Sequence, residues 1–489
     1  MLPALRNRIL QVHRWAGLGL GLWLVLLAVT GGGLVFRDQL APLLQPRMYQ
    51  TGRCAVPLPL DVLAARAAQA IPDTRLDQLR LIGPGMPLVV RFADRRDVYV
   101  DTCSGHVLGQ RAHWEGVLGS LEQWHRLRFL GNDGVASLLT GALTLALLLV
   151  FVLGGWVVRW PDSLAILRRS LVLPRKLKGR ALDVNLHRTA GVYASLVLLV
   201  VAATALPIAF KPVRHWINLA TGSAPLPGKP HSAAPALDAV PVSMQSAWQQ
   251  ALALVPGATR GVLHYPHAQD AALELAVLAP DAPHMLAASE LFLDAYSGAV
   301  LRYTPYEQMP SGHRLYSWIK AAHMGYIGGW PGQCLLLLGM LSVPLMGYTG
   351  ISSYLRRRLA AQAMPNALPV RVLSIRDEAD GVRSYTLGRA DGRALPSFAP
   401  GAHIDVHIDL GLVRPYSLCG DPNDRGSYLI AVQRSQGSRG GSLAMHERVA
   451  QGDELTISAP RNHFPLRPRA RRHLLLAGGI GITPLLCMV

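Results

Sequence analysis

The stretch Val12-His13-Arg14-Trp15-Ala16-Gly17 opens an apolar run that ends near Phe36. The same pattern returns at Leu186-His187-Arg188-Thr189-Ala190-Gly191, before an apolar run that ends near Phe210. Each run has about 20 residues, which is enough for a helix to cross the hydrocarbon core of a bilayer. A histidine before a membrane-spanning helix, used twice, indicates that the chain contains a repeated unit.

The composition is that of a membrane protein with large water-soluble parts. Of the 489 residues, 50% are hydrophobic and 16% are charged, and the formal net charge is +18. The surplus of positive charge lies beside the apolar runs, as is typical of cytoplasmic loops, so we expect membrane lipid and no nucleic acid as a partner. The basic residues in question are Arg6, Arg8, Arg14, Arg168, Arg169, Arg175, Lys176, Lys178, Arg180, Arg356, Arg357 and Arg358.

Apolar runs and basic flanks predict four spanning helices, with both termini in the cytoplasm of a bacterial cell and the chain in its inner membrane. The fold class is therefore a multidomain membrane protein with two periplasmic modules. The expected segments are a cytoplasmic N-terminus with the first helix (1–36), a first module (37–133), the second helix (134–158), a basic cytoplasmic loop (159–188), the third helix (189–210), a second module (211–330), the fourth helix with its basic flank (331–358), a linker (359–369), a barrel (370–470) and a last segment (471–489).

The two modules resemble each other. Residues 98–108 and 291–301 both read as a strand, an Asp-x-x-Ser-Gly turn and a second strand, with Asp101 and Asp294 at the turns. An aspartate and a glycine at these positions suit a tight hairpin. An Ala-rich helical stretch precedes each, near 60–71 and 243–254, so we expect one small α+β module used twice.

The second and fourth helices correspond as well. His125 precedes the second helix, and His323, within His-x-Gly-x-x-Gly-Gly, precedes the fourth. The expected topology puts His13 and His187 at the cytoplasmic face, with His125 and His323 at the periplasmic face. Each of the four helices thus carries one histidine near its entry.

These motifs resemble the PepSY-associated transmembrane family, and the resemblance covers roughly residues 8–358. It implies that the two modules are PepSY-like. The family includes inner-membrane haem proteins that reduce ferric siderophores or other periplasmic acceptors.

A histidine at a helix end can simply be an interfacial residue satisfied by water or lipid headgroups. Ionisable groups at membrane depth are nevertheless candidates for function. A bis-histidine haem needs two imidazoles that face each other across one porphyrin. We therefore expect two b-type haems, one held by His13 with His187 and one by His125 with His323. The competing histidines outside the membrane are His106, His113, His215 and His313.

After Arg358, alternating strands appear at 370–373, 403–408 and 428–432, separated by glycine and proline turns. This pattern predicts an antiparallel barrel. Four motifs follow in order: residues 414–418 (Arg-Pro-Tyr-Ser-Leu), 438–442 (Ser-Arg-Gly-Gly-Ser), 460–464 (Pro-Arg-Asn-His-Phe) and 477–484 (Ala-Gly-Gly-Ile-Gly-Ile-Thr-Pro). They resemble the ferredoxin-reductase superfamily, and within it the phthalate dioxygenase reductase branch, over about 368–489.

The second resemblance implies a cytoplasmic flavin-binding barrel. Arg414 and the turn of Gly440, Gly441 and Ser442 would hold the flavin phosphate, since a guanidinium and backbone N–H groups suit that anion. Tyr416 and Ser417 would lie against the isoalloxazine ring. The branch favours FMN over FAD on resemblance alone.

The last motif would bind NAD(P)H. Its residues are Gly478, Gly479, Gly481, Thr483 and Pro484, and the strand 474–476 before it would open an α/β nicotinamide-binding domain. That domain cannot be built from the residues up to Val489, so we expect a fragment of a longer protein, or else a partner that supplies the rest. A 2Fe–2S cluster is expected only in such a missing C-terminal part, because the five cysteines include no C-x-x-C pair.

Cys54 and Cys103 both belong to the first module, in a compartment where disulfides persist. No other cysteine of the expected outer segments competes with them, so we expect them to form a disulfide.

The sequence thus predicts an enzyme, a flavohaem oxidoreductase. It would carry electrons from cytoplasmic NAD(P)H to a periplasmic acceptor, and on family grounds that acceptor is a ferric siderophore. The rival hypothesis is a PepSY-type binding protein that inhibits or chaperones a periplasmic peptidase, with structural histidines. A reducible b-type haem spectrum of purified membranes distinguishes the two.

The topology has a direct test. A reporter that is active only in the cytoplasm should work when fused after Arg358 and be silent when fused after Ser104. Activity of the Ser104 fusion would contradict the arrangement.

Overall fold

The chain is described here as a computed structural model. The structure describes residues 3–131, 133–159, 171–174, 177–233, 239–362, 367–409, 412–435, 440–467 and 472–489. Parts of the expected loop 159–188 and linker 359–369, including Arg168, Arg169, Arg175 and Lys176, lie outside these ranges, as do Ser438 and Arg439. Two compact units are present: Met1–Leu173 with Leu186–Tyr348, and Pro174–Asn185 with Thr349–Val489.

Within the described ranges, four helical stretches are long and apolar enough to cross a membrane. We call them spans one to four: Arg8–Val35, Asp133–Val157, Gly179–Ala209 and Gly329–Arg356. They confirm the four predicted helices. The helices along this part of the chain are α1 (Pro3–Val35), α2 (Arg37–Leu44), α3 (Pro46–Tyr49), α4 (Leu60–Ala70), α5 (Gly116–His125), α6 (Asp133–Ala146), α7 (Gly154–Arg159), α8 (Gly179–Ala209), α9 (Lys211–Ala220), α10 (Met244–Leu254), α11 (Ser311–Met324) and α12 (Gly329–Gln362).

The spans pack together through small residues. A Cβ on Gly339 of span four would lie 2.4 Å from Val197 of span three, and a Cβ on Gly141 of span two would lie 2.5 Å from the Phe210 ring. Close backbone approach through glycine is how helices associate in a membrane, where lipid is as apolar as leucine. Seven buried residues from all four spans form one cluster: Leu24, Ala28, Val152, Ala194, Leu198, Met340 and Val343.

The third helix is longer than predicted. It begins at Gly179 rather than 189, so His187 lies inside a helix and not at its entry. Asp183 accepts a hydrogen bond from Ser352 Oγ (2.7 Å) and lies 3.2 Å from Arg356 Nε. Hydropathy detects only the part of a helix that lipid surrounds, whereas this polar extension is held by hydrogen bonds and charge.

The predicted modules share one antiparallel sheet. Its strands are β1 (Leu76–Leu81), β2 (Leu88–Phe92), β3 (Arg96–Val100), β4 (Val107–Ala112), β5 (Arg260–His264), β6 (Leu273–Leu278), β7 (Ser289–Leu293) and β8 (Val300–Thr304). Their order is β4-β3-β2-β1-β5-β6-β7-β8, and the β1–β5 pair joins the two modules. Helices α4 and α10 lie where helical stretches were predicted, and they bury leucine, alanine and tryptophan in one core with the sheet.

Both hairpins form at the predicted turns. Asp294 Oδ1 accepts hydrogen bonds from the N–H of Ser297 (2.8 Å) and Tyr296 (3.1 Å), and Asp101 Oδ1 accepts one from the N–H of Cys103 (3.0 Å). Gly105 and Gly298 follow with φ of 71° and 73°, where a side chain would be strained. The aspartates also anchor a distant segment, because Asp294 Oδ2 accepts the N–H of Ala233 at 2.7 Å.

The Cys54–Cys103 disulfide is present, as predicted. It ties the segment before α4 to the β3–β4 hairpin of the first module. In the second module, the hydrogen bond between Asp294 and Ala233 ties a segment to the corresponding hairpin.

The second unit contains the predicted antiparallel barrel. Its strands are β9 (Leu368–Ala379), β10 (Val382–Arg389), β11 (Ala402–Asp409), β12 (Leu412–Ser417), β13 (Tyr428–Gln433), β14 (Glu454–Ile457) and β15 (Arg461–Asn462), with helices α13 (Gly441–Arg448) and α14 (Thr483–Leu486). The order is β12-β11-β14-β9-β10-β13, with β15 on β11. A bridge between Leu418 and Ile430 brings the two ends of this order together and closes the barrel.

The predicted strand at 474–476 is wrong: these residues form no strand, and Leu474 and Leu476 are 84% and 82% exposed. A parallel strand needs a neighbour to pair with, and no described strand lies beside this one. The following residues do pack on the barrel, since Cys487 is buried in its core and its thiol donates to the Leu418 carbonyl (3.3 Å).

The Asp294 turn gives a prediction of pH-dependent stability. Backbone hydrogen bonds lower the pKa of Asp294 to about 2, below its ordinary value of 3.8. Its stabilising effect is therefore complete above pH 4 and is lost as the pH falls toward 2. Asp294→Asn should lower the free energy of unfolding by roughly 1–3 kcal/mol at pH 7, as expected for a buried charged hydrogen-bond acceptor.

The measurement is chemical denaturation of both proteins from pH 7 to pH 2, with Asp281→Asn, an exposed carboxylate of the same module, as the control. The wild-type advantage should shrink below pH 4. An advantage that stays constant down to pH 2 would contradict the role given to Asp294.

Candidate functional site

The four predicted histidines come together as two pairs. The ring centroids of His13 and His187 are 6.3 Å apart, and those of His125 and His323 are 6.4 Å apart. We call these the His13 pair and the His323 pair. The former joins spans one and three, and the latter joins α5 and α11, the short helices that lead into spans two and four. His125 and His323 thus belong to separate helices before their spans.

The spacing of both pairs suits one metal ion between two imidazoles. An imidazole nitrogen binds a transition metal at about 2 Å, and the ring centroid lies roughly 1 Å behind it, so two rings on opposite sides of one ion have centroids about 6 Å apart. Rings in direct contact would be closer. The interplanar angles differ, at 81° for the His13 pair and 37° for the His323 pair.

Hydrogen bonds orient the His13 pair. Nδ1 of His13 donates to the Val150 carbonyl (3.2 Å), and Nδ1 of His187 donates to the Met346 carbonyl (3.0 Å). Because a carbonyl can only accept, the proton must be on Nδ1, and Nε2 keeps its lone pair for a metal. Val150 lies in a π-helical turn, Leu147–Leu153, and such turns often occur at functional sites.

Threonines of spans one and three orient the His323 pair. His125 Nδ1 lies 3.0 Å from the Leu27 carbonyl and 3.2 Å from Thr30 Oγ1, and His323 Nδ1 lies 3.3 Å from Thr204 Oγ1. Each threonine hydroxyl donates to the carbonyl four residues earlier, at 2.7 Å in both cases, so its oxygen accepts from the imidazole.

Sequence reasoning missed Thr30 and Thr204. The repeat contains the signal, because each threonine follows the first histidine of its span, His13 or His187, by the same number of residues. It also missed Gly31, where a Cβ would lie 2.9 Å from His125 Cε1. Only glycine at this position lets the imidazole approach span one so closely.

Both rings of the His323 pair are neutral at pH 7. Burial lowers the pKa of His125, and burial together with the neighbouring His125 lowers the pKa of His323 to about 4. Neutral imidazole is the form that binds iron.

The two pairs lie well apart along span one. His13 belongs to one pair, and Leu27, fourteen residues later on the same continuous helix, holds His125 of the other. At 1.5 Å per residue, the separation along the helix axis is about 21 Å. This is most of the roughly 30 Å thickness of a bilayer core.

The competing histidines have other neighbours. His113 contacts Trp114 edge to face, with ring centroids 4.4 Å apart, and lies 3.3 Å from Arg91, while His106 and His215 are exposed. Across the described part of the chain, no three or more His, Cys, Asp or Glu residues gather as a metal site. The pairs, and not a larger cluster, are therefore the candidate metal sites.

The barrel brings two elements of the predicted phosphate site together. A Cβ on Gly441 would lie 2.6 Å from Arg414 Cγ and 2.7 Å from its Nε, so only glycine lets the start of α13 approach this arginine. Gly440 precedes the helix with φ of 89°. A guanidinium beside the N–H groups at a helix start suits a phosphate. Ser442 Oγ accepts from the Ser435 N–H at 3.3 Å, which ties the chain just after β13 to the start of α13.

The other predicted residues lie in or near the barrel. Tyr416 and Ser417 end β12, opposite Ile404 and His403 of β11, and burial raises the pKa of Tyr416 to about 12. In the last motif, a short helical turn of Gly479–Ile482 follows Gly478 and includes Gly481, and Pro484 lies in α14. Thr483 is buried and donates to the Ile480 carbonyl (3.0 Å). Binding of a flavin ring or a nucleotide by these residues stays a prediction.

Two parts of the chain are similar to different known proteins. The family described as "PepSY-associated TM region" matches residues 10–357. The vanillate O-demethylase oxidoreductase of Pseudomonas putida is 56% identical over 117 residues, covering 24% of this chain and 37% of that protein. The phthalate 4,5-dioxygenase oxygenase reductase subunit of Pseudomonas putida is 41% identical over 120 residues, covering 24% and 37%.

A solved structure of phthalate dioxygenase reductase is 42% identical, covers 25% of this chain and 38% of its own, and has a TM-score of 0.25. The chain thus spans less than two fifths of the length of these relatives. The two Pseudomonas putida reductases show that it carries a reductase-type domain in addition to its membrane region. Because one family covers most of its length, the chain belongs to the PepSY-associated TM family, here fused to a domain of the phthalate dioxygenase reductase type.

Proposed function

We propose that the chain is an oxidoreductase that passes electrons across a bacterial inner membrane, from NAD(P)H in the cytoplasm to an acceptor in the periplasm. The observation that carries the proposal is the arrangement of four imidazoles in two pairs, the His13 pair and the His323 pair. Each has the spacing of two ligands on one iron, and in each ring Nδ1 bonds to a neighbouring helix, which leaves Nε2 as the nitrogen that would bind iron.

Each pair would hold one b-type haem. A haem iron supplies one-electron chemistry, and a flavin supplies the exchange between hydride and single electrons. His13 and His187 fix one ligand set near one end of the spans, and His125 and His323 fix the other about 21 Å further along. The periplasmic position of the His323 pair rests on the basic flanks of the spans.

The barrel would bind the flavin, FMN by its similarity to the phthalate dioxygenase reductases, and NAD(P)H would approach the last motif. Arg414 would bind the flavin phosphate. Gly441 has no side chain, so the start of α13 can lie directly beside this arginine. The membrane region resembles a family that includes ferric-siderophore reductases, so the proposed periplasmic acceptor is a ferric siderophore.

The ligand pairs are tested by removing one ring. His323→Ala should abolish one haem per chain and leave the other, because the remaining pair lies about 21 Å away and keeps its own helix contacts. His215→Ala, at an exposed histidine just after span three, is the control and should retain both haems. The measurement is haem content per polypeptide with the reduced-minus-oxidised spectrum.

His13→Ala should remove the other haem, and the one that remains should still respond to a small added reductant. If His323→Ala keeps both haems at wild-type occupancy, the pairing of His125 with His323 is wrong.

Removing the positive charge of Arg414 tests the predicted phosphate site. Arg414→Gln should lower flavin affinity roughly tenfold or more, since a charged hydrogen bond to phosphate is lost. Arg393→Gln, at an exposed arginine of the same barrel, should change it little. The measurement is the flavin bound per chain during titration with FMN. Equal affinity in both variants would place the flavin phosphate elsewhere.

A further inference from the structure

Two helices of the segment between spans three and four pack side by side. Helix α9 follows span three, and α11 leads toward span four. The Gly312 N–H donates to Ser223 Oγ (2.6 Å), and a Cβ on Gly312 would lie 2.5 Å from Asn218 Oδ1. Arg214 of α9 lies over the ring of Tyr316 on α11, so the helices run antiparallel with a fixed register.

Two cations meet at this contact. The guanidinium carbon of Arg214 is 4.5 Å from the Tyr316 ring centroid, and Lys320 Nζ is 5.9 Å from it. Among the residues described, neither cation forms an ion pair with a carboxylate. Burial and the charge of Arg214 lower the pKa of Lys320. The contact therefore places two positive charges side by side.

The cluster lies on the helix face that carries His323. Lys320 and Tyr316 precede His323 by three and seven residues, which places all three on one side of α11. Lys320 is therefore about one helical turn from the imidazole, on the side away from span four. The exposed Leu315 and Trp318 lie roughly 80–140° around the helix, on a different face.

The first half of the repeat differs at this position. Glu122 precedes His125 by three residues, as Lys320 precedes His323. Glu122 pairs with Arg37 at 3.2 Å and with Arg126 at 3.1 Å. The first half therefore provides its own carboxylate, whereas the second half has a cation in its place and a second cation beside it.

We propose that Arg214 and Lys320 bind a propionate carboxylate of the haem held by His125 and His323, an inference that rests on the proposed function. Each b-type haem carries propionates, and a carboxylate near the exposed Arg214 and the half-buried Lys320 gains charge-assisted hydrogen bonds. Tyr316 holds the cations in place through its ring. An acidic acceptor from the periplasm offers the same carboxylate chemistry, and the test separates the two sources.

The test uses the full chain with Arg214→Gln and Lys320→Gln combined. Both haems should keep their bis-histidine spectrum, because no ligand is changed. The haem of the His323 pair should transfer to apomyoglobin about tenfold faster or more, because charge-assisted hydrogen bonds are lost. Its midpoint potential should fall, since nearby positive charge favours the ferrous state. Lys229→Gln, whose ammonium already pairs with Glu274, should change neither quantity.

The outcomes separate the hypotheses. Unchanged transfer and potential in the double variant would overturn the proposal. Unchanged haem transfer and potential together with slower reduction of ferric citrate would assign the cations to an anionic acceptor. That result would overturn the proposal as well. A wild-type chain without haem would instead refute the proposed function itself. If the double variant does not fold, Lys320→Gln alone should speed transfer severalfold, and no change there would also overturn the proposal.

Discussion

The structure depends on one interaction, the hydrogen bond from histidine Nδ1–H to an acceptor on a neighbouring helix. In each pair this bond fixes the tautomer, so Nε2 of each ring keeps its lone pair. A polar ring with no partner at membrane depth would be costly, and one hydrogen bond per ring removes part of that cost. The same bond couples the spans, because each acceptor belongs to a different helix from its histidine.

The repeat explains why there are two such places. Spans one and three each carry a histidine near one end and a threonine further along, and each therefore helps to build both pairs. The two modules extend this symmetry by joining strands β1 and β5 into one sheet. Departures from symmetry are then informative. The exchange of Glu122 for Lys320 puts a carboxylate three residues before His125 and a cation three residues before His323, the two rings of one pair.

Much of this could be read from the sequence, because its signals are local. Apolar runs give the spans, and Asp101 and Asp294 give the hairpins through bonds within a few residues of themselves. The repeat further predicted which histidines belong together. The sequence could not give the distance between the rings, which depends on helix packing. It also could not reveal Thr30, Thr204 or Gly31, since their roles exist only when another helix lies against them. The prediction of a strand at 474–476 was wrong for a related reason, because a strand forms only where a neighbouring strand can pair with it.

In the proposed function, each pair of imidazoles holds one iron. Electron paramagnetic resonance of the oxidised full chain tests it most directly, because the anisotropy of a low-spin ferric signal depends on the angle between the two ligand planes. The ring planes cross at 81° in the His13 pair and at 37° in the His323 pair. Two low-spin signals of equal intensity are expected, and the one with the larger anisotropy should be lost in His13→Ala. A single signal, or high-spin iron alone, would contradict it.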